Sequence, residues 1–525
     1  MSPQQNTRLR LILAIAIFAC PALGSTTILL LRARSVVAPA GRVQETSGGE
    51  SISIYNILKI GRGFRLYQDP RNPPFYPSTL YNAGFYRFYS GIARIFAGST
   101  DHTIIALRFT TLALACLGLA AIAAYSLRRS TRNLPRAVAP IAAATTILAA
   151  IATSLGGTTG WWLLTVRPDI GASAFGAIAL AVALTLGRDR PVAAGLFAGI
   201  LLAAAWSFKQ STIFLFLGLS IEALFHKRKN FLIALILPVA ATIALCAALL
   251  GPVYRYNAFF ASSLSSFHIA NLVKLAVKIP LKGALPLAAA ICSSPLLKNE
   301  RFFQSDEASI LKTCWWITLI GGAATCCRDG SEANYFFEFW TVVGFLAVAQ
   351  ARIQIEFALD KISHPRPATS TVVLAAIALG SIGLEIARPA LPNRFGTVYL
   401  KLDDSRRTEL ERARELARSR SGAIYCRPAL WGLAWDLPFP AYVFDDYPYF
   451  QRPAERRGLL NGGGLESLIL NRHFQLMILE NDDEDTLQTA LKAGYRDAPG
   501  WSRIKVLLPP ESPRSNLANR DRRRN

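Results

Sequence analysis

Long apolar runs alternate with short polar segments along the first three quarters of the chain. Eight clear runs and three weaker ones predict about eleven transmembrane helices, because each can span roughly 30 Å of hydrocarbon. The clear runs are Leu11–Leu31, Thr103–Leu127, Ala137–Leu155, Ile170–Leu186, Phe231–Leu250, Leu311–Cys327, Phe336–Ala351 and Val372–Ile386, and the weaker ones are Val192–Trp206, Ser211–Phe225 and Ile279–Leu297. The pattern predicts a mainly α, polytopic membrane domain over residues 1–387.

Positive charge orients these spans. Lys and Arg cluster between pairs of apolar runs, for example at 128–136 and 227–229, and short cytoplasmic loops are enriched in such clusters. This places the N-terminus in the cytoplasm, with the long first loop, residues 33–100, on the outer side. The first run follows Arg8 and Arg10 but stays apolar as far as Leu31, which favours a membrane anchor over a cleaved signal peptide. We therefore predict a multi-pass protein of the inner (plasma) membrane.

A second pattern lies within the first loop. Six apolar residues repeat there at helical spacing, with Arg87 and Arg94 off the stripe. They are Phe85, Phe88, Tyr89, Ile92, Ile95 and Phe96. This pattern predicts an amphipathic helix lying on the outer membrane surface.

From residue 388 the chain becomes charged and mixed. "DDSRRTELERARELARSRSG" is a polar helix pattern, and "AIYC", "AYVF", "FQLMILEN" and "IKVLLPP" are typical of short buried strands. We predict a small soluble α/β domain over 388–525, on the outer side, that ends in a disordered basic tail, "NRDRRRN". No catalytic set stands out in this region.

Composition changes the interpretation of the charge. The 525 residues are 52% hydrophobic and 17% charged, with a net charge of +23. A basic excess of this size could indicate nucleic acid, but membrane topology and the basic soluble domain account for it. Of the 34 carboxylates, only 16 precede Arg388. Each acid in the apolar body therefore needs an explanation.

Four of these rare acids fall on the predicted outer face. Glu50 follows two glycines and precedes a helical pattern, and Asp69 precedes a proline. By residue type alone, a solvated loop acid is the better explanation of Glu50. Asp169 stands at the start of a span, where the helix dipole favours a carboxylate by about 0.3–1 kcal/mol, so capping competes with catalysis. Glu338 lies deeper in an apolar context and is harder to explain as a loop acid.

Other polar residues share that face. Lys209 and Gln210 lie between two short apolar runs in "WSFKQST". A Lys at bilayer depth costs about 2.5–3.5 kcal/mol, so Lys209 either snorkels or pairs with a phosphate or an acid. Asn334 and Glu338 are four residues apart, which predicts one helix face.

The order of these motifs resembles that of bacterial membrane glycosyltransferases of the GT-C fold. The motifs are the acid loop, "LYQDP", "PPFYPSTLYNAGFY", Arg108 in "ALRFTT", "RPD", "KQ" and "NYFFE". In order, spacing and sidedness they are similar to the group of protein O-mannosyltransferases and the lipid A aminoarabinose transferase. The resemblance runs from the N-terminus to the span that ends at Ala351.

The resemblance implies transfer of a sugar from a polyprenyl-phosphate donor to a lipid, polysaccharide or protein acceptor on the outer face. It assigns the catalytic base to Glu50, matches Asp169 to a second acid, and leaves Asp69 open between an active-site acid and an Asp-Pro turn. Many relatives have adjacent acids where Gly49 precedes Glu50 here. The implied substrate-binding residues are Arg108, Arg167, Lys209, Gln210, Tyr81, Asn82, Asn334, Tyr335 and Glu338.

The chemistry of this reaction needs one base. A phosphate leaves as a stable anion, so no second carboxyl group is required to protonate it, and the expected product is inverted at the anomeric carbon. Cations should stabilise the departing phosphate, and the candidates are Arg108, Arg167 and Lys209. The five histidines show no ligand spacing, so we predict no cofactor, while a divalent cation held by carboxylates stays open.

A transporter or lipid flippase without bond-making chemistry is the alternative. Transporters often contain internal repeats with polar breaks near the bilayer midplane. This chain shows no convincing repeat, and its rare acids cluster on one face. Those two features favour the enzyme.

Overall fold

The structure is a computed structural model. It describes residues 3–38, 42, 46, 49–72, 79–130, 134, 136, 138–155, 160, 162–293, 304–328, 331–359, 371–380, 404–420, 422–427, 451–481 and 483–510.

The membrane part is built from helices, as the apolar runs predict. Six are long and apolar enough to cross a bilayer, and shorter apolar helices accompany them. In chain order the helices are α1 Pro3–Val37, α2 Glu50–Gly61, α3 Ala83–Ile95, α4 Thr100–Ser130, α5 Ala139–Ser154, α6 Pro168–Leu186, α7 Pro191–Phe208, α8 Phe214–Phe225, α9 Lys229–Leu249, α10 Gly251–Arg255, α11 Ala261–Ser263, α12 Ile269–Lys282, α13 Ala284–Ser293, α14 Ser305–Cys326, α15 Phe337–Ala358 and α16 Thr371–Gly380. A mainly α, multi-pass membrane fold is therefore confirmed.

Helix α15 is the centre of the bundle. It packs against α1, α4, α5, α6, α13 and α14, and almost all of its length is buried. The stretch from Phe339 to Ala349 is apolar on every side, and the polar residues that follow, such as Arg352 and Glu356, are buried and paired with each other. A short 3₁₀ turn, Ala333–Phe336, leads into it. The residues at its start are thus fixed by contacts on several sides.

Close helix packing explains one glycine pair. Gly195 and Gly199 of α7 face the backbone of α9, where an added Cβ would lie 2.4 Å from the carbonyl oxygen of Phe231 and 2.6 Å from that of Leu235. Small residues allow membrane helices to approach in this way. The contact holds the first half of α7 against α9.

Two sequence predictions differ from the structure. The weak span Ile279–Leu297 is a pair of helices, α12 and α13, that break at Gly283, and α12 begins ten residues before the predicted span. Helix α3 is present, but the apolar residues predicted to lie on its one face have two different environments. Phe85 and Tyr89 are buried against Phe208 of α7, whereas Ile95 is 74% exposed. Half of the stripe therefore packs on protein, because tertiary contacts compete with the membrane surface for the same apolar residues.

The C-terminal part is a small α/β unit, as predicted. Its elements are α17 Asp404–Arg418, β1 Ile424–Cys426, α18 Gln451–Arg456, α19 Gly464–Leu470, β2 Leu476–Glu480, α20 Glu484–Lys492, β3 Arg496–Asp497 and β4 Ile504–Leu508. The sheet order is β1-β2-β4-β3, with β1 and β2 parallel and the other pairs antiparallel. Side chains of β2 alternate between two buried clusters, so both faces of the sheet are covered. The predicted strand "AYVF" and the basic tail lie outside the described residues.

This unit contacts the first loop. Arg414 donates to Asp101 Oδ1 at the start of α4 (3.0 Å), and the amide of Asn461 donates to the carbonyl oxygen of Arg71 (2.8 Å). Arg457 donates to the carbonyl oxygen of Leu264, just after α11 (3.2 Å). The α/β unit therefore sits at the end of the bundle where the first loop and the start of α4 lie.

Candidate functional site

The backbone at Gly49 places Glu50 at the start of α2. Gly49 has φ +85°, a left-handed conformation that suits glycine, and it is the residue before the helix. An added Cβ there would lie 3.7 Å from Nη1 of Arg167. The predicted helix after Glu50 is confirmed, and its first residue points into the protein with no exposed surface.

Five hydrogen bonds hold the Glu50 carboxylate. Arg108 of α4 donates from Nε to Oε1 (3.0 Å) and from Nη2 to Oε2 (2.9 Å). The amide of Val166 donates to Oε1 (2.9 Å), and the amide and hydroxyl of Thr46 donate to Oε2 (2.6 and 2.5 Å). Glu50 thus ties together the first loop, α4 and the segment before α6.

Protein groups enclose the Glu50 carboxylate and fill its acceptor sites. Both Glu50 and Arg108 are 0% exposed, and a carboxylate has about four acceptor sites, which these donors fill. Breaking a buried pair of this kind costs about 3–5 kcal/mol. We call Glu50, Arg108 and Thr46 the Glu50 centre.

A second acid lies at the start of α6, where Pro168 occupies the first turn. Asp169 Oδ1 accepts hydrogen bonds from Lys209 Nζ (2.5 Å) and Asn334 Nδ2 (2.6 Å). Its Oδ2 accepts one from Arg167 Nε (3.2 Å). These partners come from the end of α7, from the 3₁₀ turn before α15 and from the residue before α6. We call Asp169, Arg167, Lys209 and Asn334 the Asp169 centre.

Aromatic rings support the two cations of this centre. Arg167 lies 4.5 Å from the ring centroid of Trp162, and Lys209 lies 4.4 Å from that of Tyr335. Cation–π contacts of this kind contribute about 0.5–2 kcal/mol. Tyr81 is close enough for the charges of Arg167, Asp169 and Lys209 to act on it, and burial raises the pKa of its hydroxyl. The sequence-predicted Arg167, Lys209, Tyr81, Asn334 and Tyr335 are therefore brought together.

Three of the predicted residues have structural partners. Asn82 is fully buried and bridges Trp206 and Tyr254: its Nδ2 donates to the Trp206 carbonyl oxygen (2.6 Å), and the Tyr254 hydroxyl donates to its Oδ1 (2.7 Å). Gln210 Nε2 donates to the carbonyl oxygens of Leu80 and Ala258, both at 2.7 Å. Gln210 thus joins the first loop to the π-helical segment Tyr256–Phe260 directly beside Lys209.

Glu338 is the third predicted residue whose partners are structural. Its carboxylate accepts hydrogen bonds from the backbone amides of Phe214 (3.2 Å) and Leu215 (3.0 Å), the first residues of α8. A carboxylate at a helix N-terminus accepts hydrogen bonds from backbone amides that have no intrahelical partner, and the helix dipole stabilises its negative charge. Asn334 and Glu338 therefore face different partners, because the 3₁₀ turn between them changes the helical register.

Asp69 forms a turn. It accepts hydrogen bonds from the amide, Nε and Nη2 of Arg71 (3.0, 2.8 and 2.7 Å), and the hydrogen bonds from the Arg71 side chain lower the pKa of Asp69. Arg71 also lies 4.3 Å from the ring centroid of Tyr256, and its carbonyl oxygen receives the Asn461 amide. The geometry supports the Asp-Pro turn over the active-site acid.

Three buried residues near the site or on its helices were not predicted: Thr46, Thr165 and Lys59. Thr46 lies in the Ser/Gly-rich stretch "QETSGGES", and its hydroxyl oxygen, whose hydrogen is donated to Glu50, lies 3.0 Å from the hydroxyl of Thr165, which can donate to it. Lys59 is fully buried on α2, where burial lowers the pKa of its ammonium to about 7. A lysine within an apolar helical pattern was the available signal for Lys59. No sequence signal marks Thr46 or Thr165.

A metal centre finds no support in the described part of the chain. No group of three or more His, Cys, Asp or Glu side chains there is arranged to hold a metal ion. Glu50, Asp69 and Asp169 are each paired with Arg or Lys, and Glu338 accepts hydrogen bonds from two backbone amides.

Comparisons with known proteins identify the fold. No family model matches the chain, and no curated protein matches its sequence. Among solved structures, ArnT from Cupriavidus metallidurans is similar with a TM-score of 0.56 and 12% identity, over 92% of this chain and 97% of that one, both in the apo state and bound to undecaprenyl phosphate. The oligosaccharyltransferase AglB from Archaeoglobus fulgidus, in complex with an inhibitory peptide and a dolichol-phosphate, is similar with a TM-score of 0.53 and 13% identity, over 93% of this chain and 74% of that one. The chain therefore has the GT-C fold of membrane glycosyltransferases, as its motifs predict.

Proposed function

We propose that this protein is a membrane glycosyltransferase that moves a sugar from a polyprenyl-phosphate donor to a lipid, polysaccharide or protein acceptor. The observation that carries the proposal is the Asp169 centre, where two cations surround one carboxylate at the ends of helices in a GT-C fold. The similar structures of ArnT and AglB hold undecaprenyl phosphate and a dolichol-phosphate. A phosphate on a long isoprenoid chain is the ligand class that these two share.

The charge of the Asp169 centre suits such a phosphate. Arg167 and Lys209 carry two positive charges against the single negative charge of Asp169, and their side chains are 13% and 6% exposed. Charge-assisted hydrogen bonds to a phosphate are stronger than neutral ones. Arg108, the third candidate, is committed to Glu50 and has no exposed surface. We therefore assign phosphate binding to Arg167 and Lys209.

Binding of the phosphate would also release the base. As Lys209 and Arg167 turn toward the phosphate, Asp169 loses its cationic partners and becomes more basic. Asp169 would then accept the proton of the acceptor hydroxyl or amine as that oxygen or nitrogen attacks the anomeric carbon. The bond from this carbon to the phosphate oxygen breaks, and its electron pair stays on the phosphate. A single displacement of this kind inverts the anomeric configuration.

Glu50 is the base that the family resemblance implies, and its geometry favours a different role. Its partners include two backbone amides and a buried arginine, and a phosphate cannot recruit these as it can Lys209. We infer that Glu50 positions Val166 and therefore the neighbouring Arg167. Asp69, which forms a turn with Arg71, takes no part in the reaction.

The membrane orientation belongs to the same proposal. A multi-pass membrane protein is supported by the apolar helices, and the positive loops place the N-terminus in the cytoplasm. The active site and the domain 388–525 would then lie on the outer face of the plasma membrane. The contacts of that domain with the first loop, such as Arg414 with Asp101, are consistent with a cover over the site.

The proposal is tested with the purified full chain in proteoliposomes. The assay supplies undecaprenyl phosphate carrying a radiolabelled sugar, together with extracted envelope lipids and polysaccharide as acceptors. We expect label to move to an acceptor with release of undecaprenyl phosphate and inversion at the anomeric carbon. Label that crosses the bilayer on an intact carrier would instead support a transporter, and retention would contradict the single displacement.

A further inference from the structure

Two buried amides beside the Asp169 centre each leave one oxygen unused. Asn334 Oδ1 and Gln210 Oε1 are inaccessible to solvent and have no hydrogen-bond partner among the described residues. Buried polar atoms are nearly always paired, and each exception needs an explanation. Two exceptions next to one cation indicate a ligand that supplies hydrogen-bond donors.

The orientation of both amides follows from their partners. The NH₂ group of Asn334 faces a carboxylate oxygen of Asp169, and that of Gln210 faces two backbone carbonyl oxygens. All of these partners accept hydrogen bonds and cannot donate them. If either amide were rotated by 180°, its own oxygen would lie against the acceptor oxygen of its partner. The NH₂ group therefore faces the partner, and the amide oxygen points away from it.

Both amides are attached to the proposed phosphate site. Asn334 and Lys209 donate to the same oxygen of Asp169, and Gln210 is the next residue after Lys209. Gln210 also binds Ala258 in the π-helical segment Tyr256–Phe260, a kind of helix distortion that is frequent at functional sites. Asn334 therefore shares an acceptor with the cation that would hold the phosphate, and Gln210 follows that cation directly in the chain.

The chemistry of the donor lipid shows which part of it fits. The phosphate and the isoprenoid chain carry no hydrogen-bond donors at neutral pH, whereas a sugar carries several hydroxyl groups. Resting on the proposed function, we propose that Asn334 Oδ1 and Gln210 Oε1 accept hydrogen bonds from hydroxyl or amino groups of the donor sugar. These residues would thus select lipids that carry a sugar over the bare carrier, while Arg167 and Lys209 bind both.

The test compares two classes of lipid on the purified full chain. Dissociation constants are measured for bare undecaprenyl phosphate and for undecaprenyl phosphate carrying glucose, mannose, galactose or arabinose. We expect at least one sugar lipid to bind about tenfold more tightly than the bare lipid, the effect of one or two hydrogen bonds. Asn334→Leu and Gln210→Met should each bring this ratio close to one, because affinity for the sugar lipid falls further than affinity for the bare lipid.

The matched control is Asn56→Leu. Asn56 is also buried, but both ends of its amide are paired, with the Ile52 carbonyl oxygen (3.1 Å) and the Thr79 hydroxyl (3.2 Å), so its loss should not change the ratio. Wild type without preference for any sugar lipid, or variants that keep the preference, would overturn the inference. Equal weakening of both lipids, as a purely structural role predicts, would do the same. A chain that binds neither lipid would overturn the proposed function as well.

Discussion

Glu50 and Asp169 are both buried carboxylates paired with cations, yet their partners differ in kind. Glu50 is held by two backbone amides, a threonine hydroxyl and an arginine without exposed surface. Asp169 is held only by side chains, two of which are cations with some remaining exposure. A phosphate can take over the partners of Asp169 but not those of Glu50. Burial and ion pairing alone therefore do not identify a catalytic acid; the ability of its partners to exchange does.

Asp169→Asn has the largest expected effect on transfer. The amide cannot accept the proton, so kcat should fall about 10²–10⁴-fold, the usual contribution of a general base. Removing the carboxylate also removes the negative charge that competes with phosphate for Lys209 and Arg167, so the Kd for undecaprenyl phosphate should stay equal or decrease. Radiolabel transfer and lipid binding on the same preparation check both. Transfer above about one tenth of wild type would rule Asp169 out as the base.

Glu50→Gln should act mainly on stability. It leaves Arg108 buried without its counter-charge, which costs about 3–5 kcal/mol. The double variant Glu50→Gln with Arg108→Met should recover much of that loss, because an uncharged pair replaces a lone charge. Denaturation curves of wild type, both single variants and the double variant give the interaction free energy between Glu50 and Arg108. A Glu50→Gln protein of normal stability whose kcat falls as far as that of Asp169→Asn would return the base to Glu50 and reverse the comparison.

Lys209→Gln should weaken binding of undecaprenyl phosphate about 10- to 100-fold, since a hydrogen bond between charged partners contributes about 1.5–3 kcal/mol. Glutamine keeps a donor for Asp169, so the fold should tolerate the change. Arg71→Gln is the control, because Arg71 is a cation of the first loop that pairs with Asp69 outside the Asp169 centre. Equal weakening by both variants would indicate a general charge effect.

Asp69→Asn has the smallest expected effect. The pKa of Asp69 is lowered by Arg71, so its stabilisation is present above the ordinary Asp pKa of about 3.9 and is lost as the pH falls through the folded value. The gap in melting temperature between wild type and Asp69→Asn should therefore close on acidification from pH 7 to pH 3. The pair is partly exposed, so the gap corresponds to less than about 1 kcal/mol. Loss of transfer in this variant would restore Asp69 as an active-site acid.

The sequence could predict some residues of the site but not others. Acids are scarce in the apolar body, which directed attention to Glu50 and Asp169, and the spacing of "RPD", "KQ" and "NYFFE" grouped the residues that meet around Asp169. Thr46 was not predictable, because a threonine in a Ser/Gly-rich loop has no pattern that distinguishes it. The separate directions of Asn334 and Glu338 depend on a 3₁₀ turn that helical spacing does not reveal.

Hydrophobic periodicity by itself determined the membrane-spanning helices and the small α/β unit, since the length of an apolar run and the alternation along a strand are local properties. It also restricted the candidate acids to a few positions. Only the tertiary structure decided which cation pairs with which acid, because the partners are far apart in the chain: 58 residues separate Arg108 from Glu50, and 40 separate Lys209 from Asp169. Burial does not separate the two acids, since both side chains are 0% exposed, but the kind of partner does: Glu50 is enclosed by partners that are fixed in the backbone and core, and Asp169 by charges that a ligand can share.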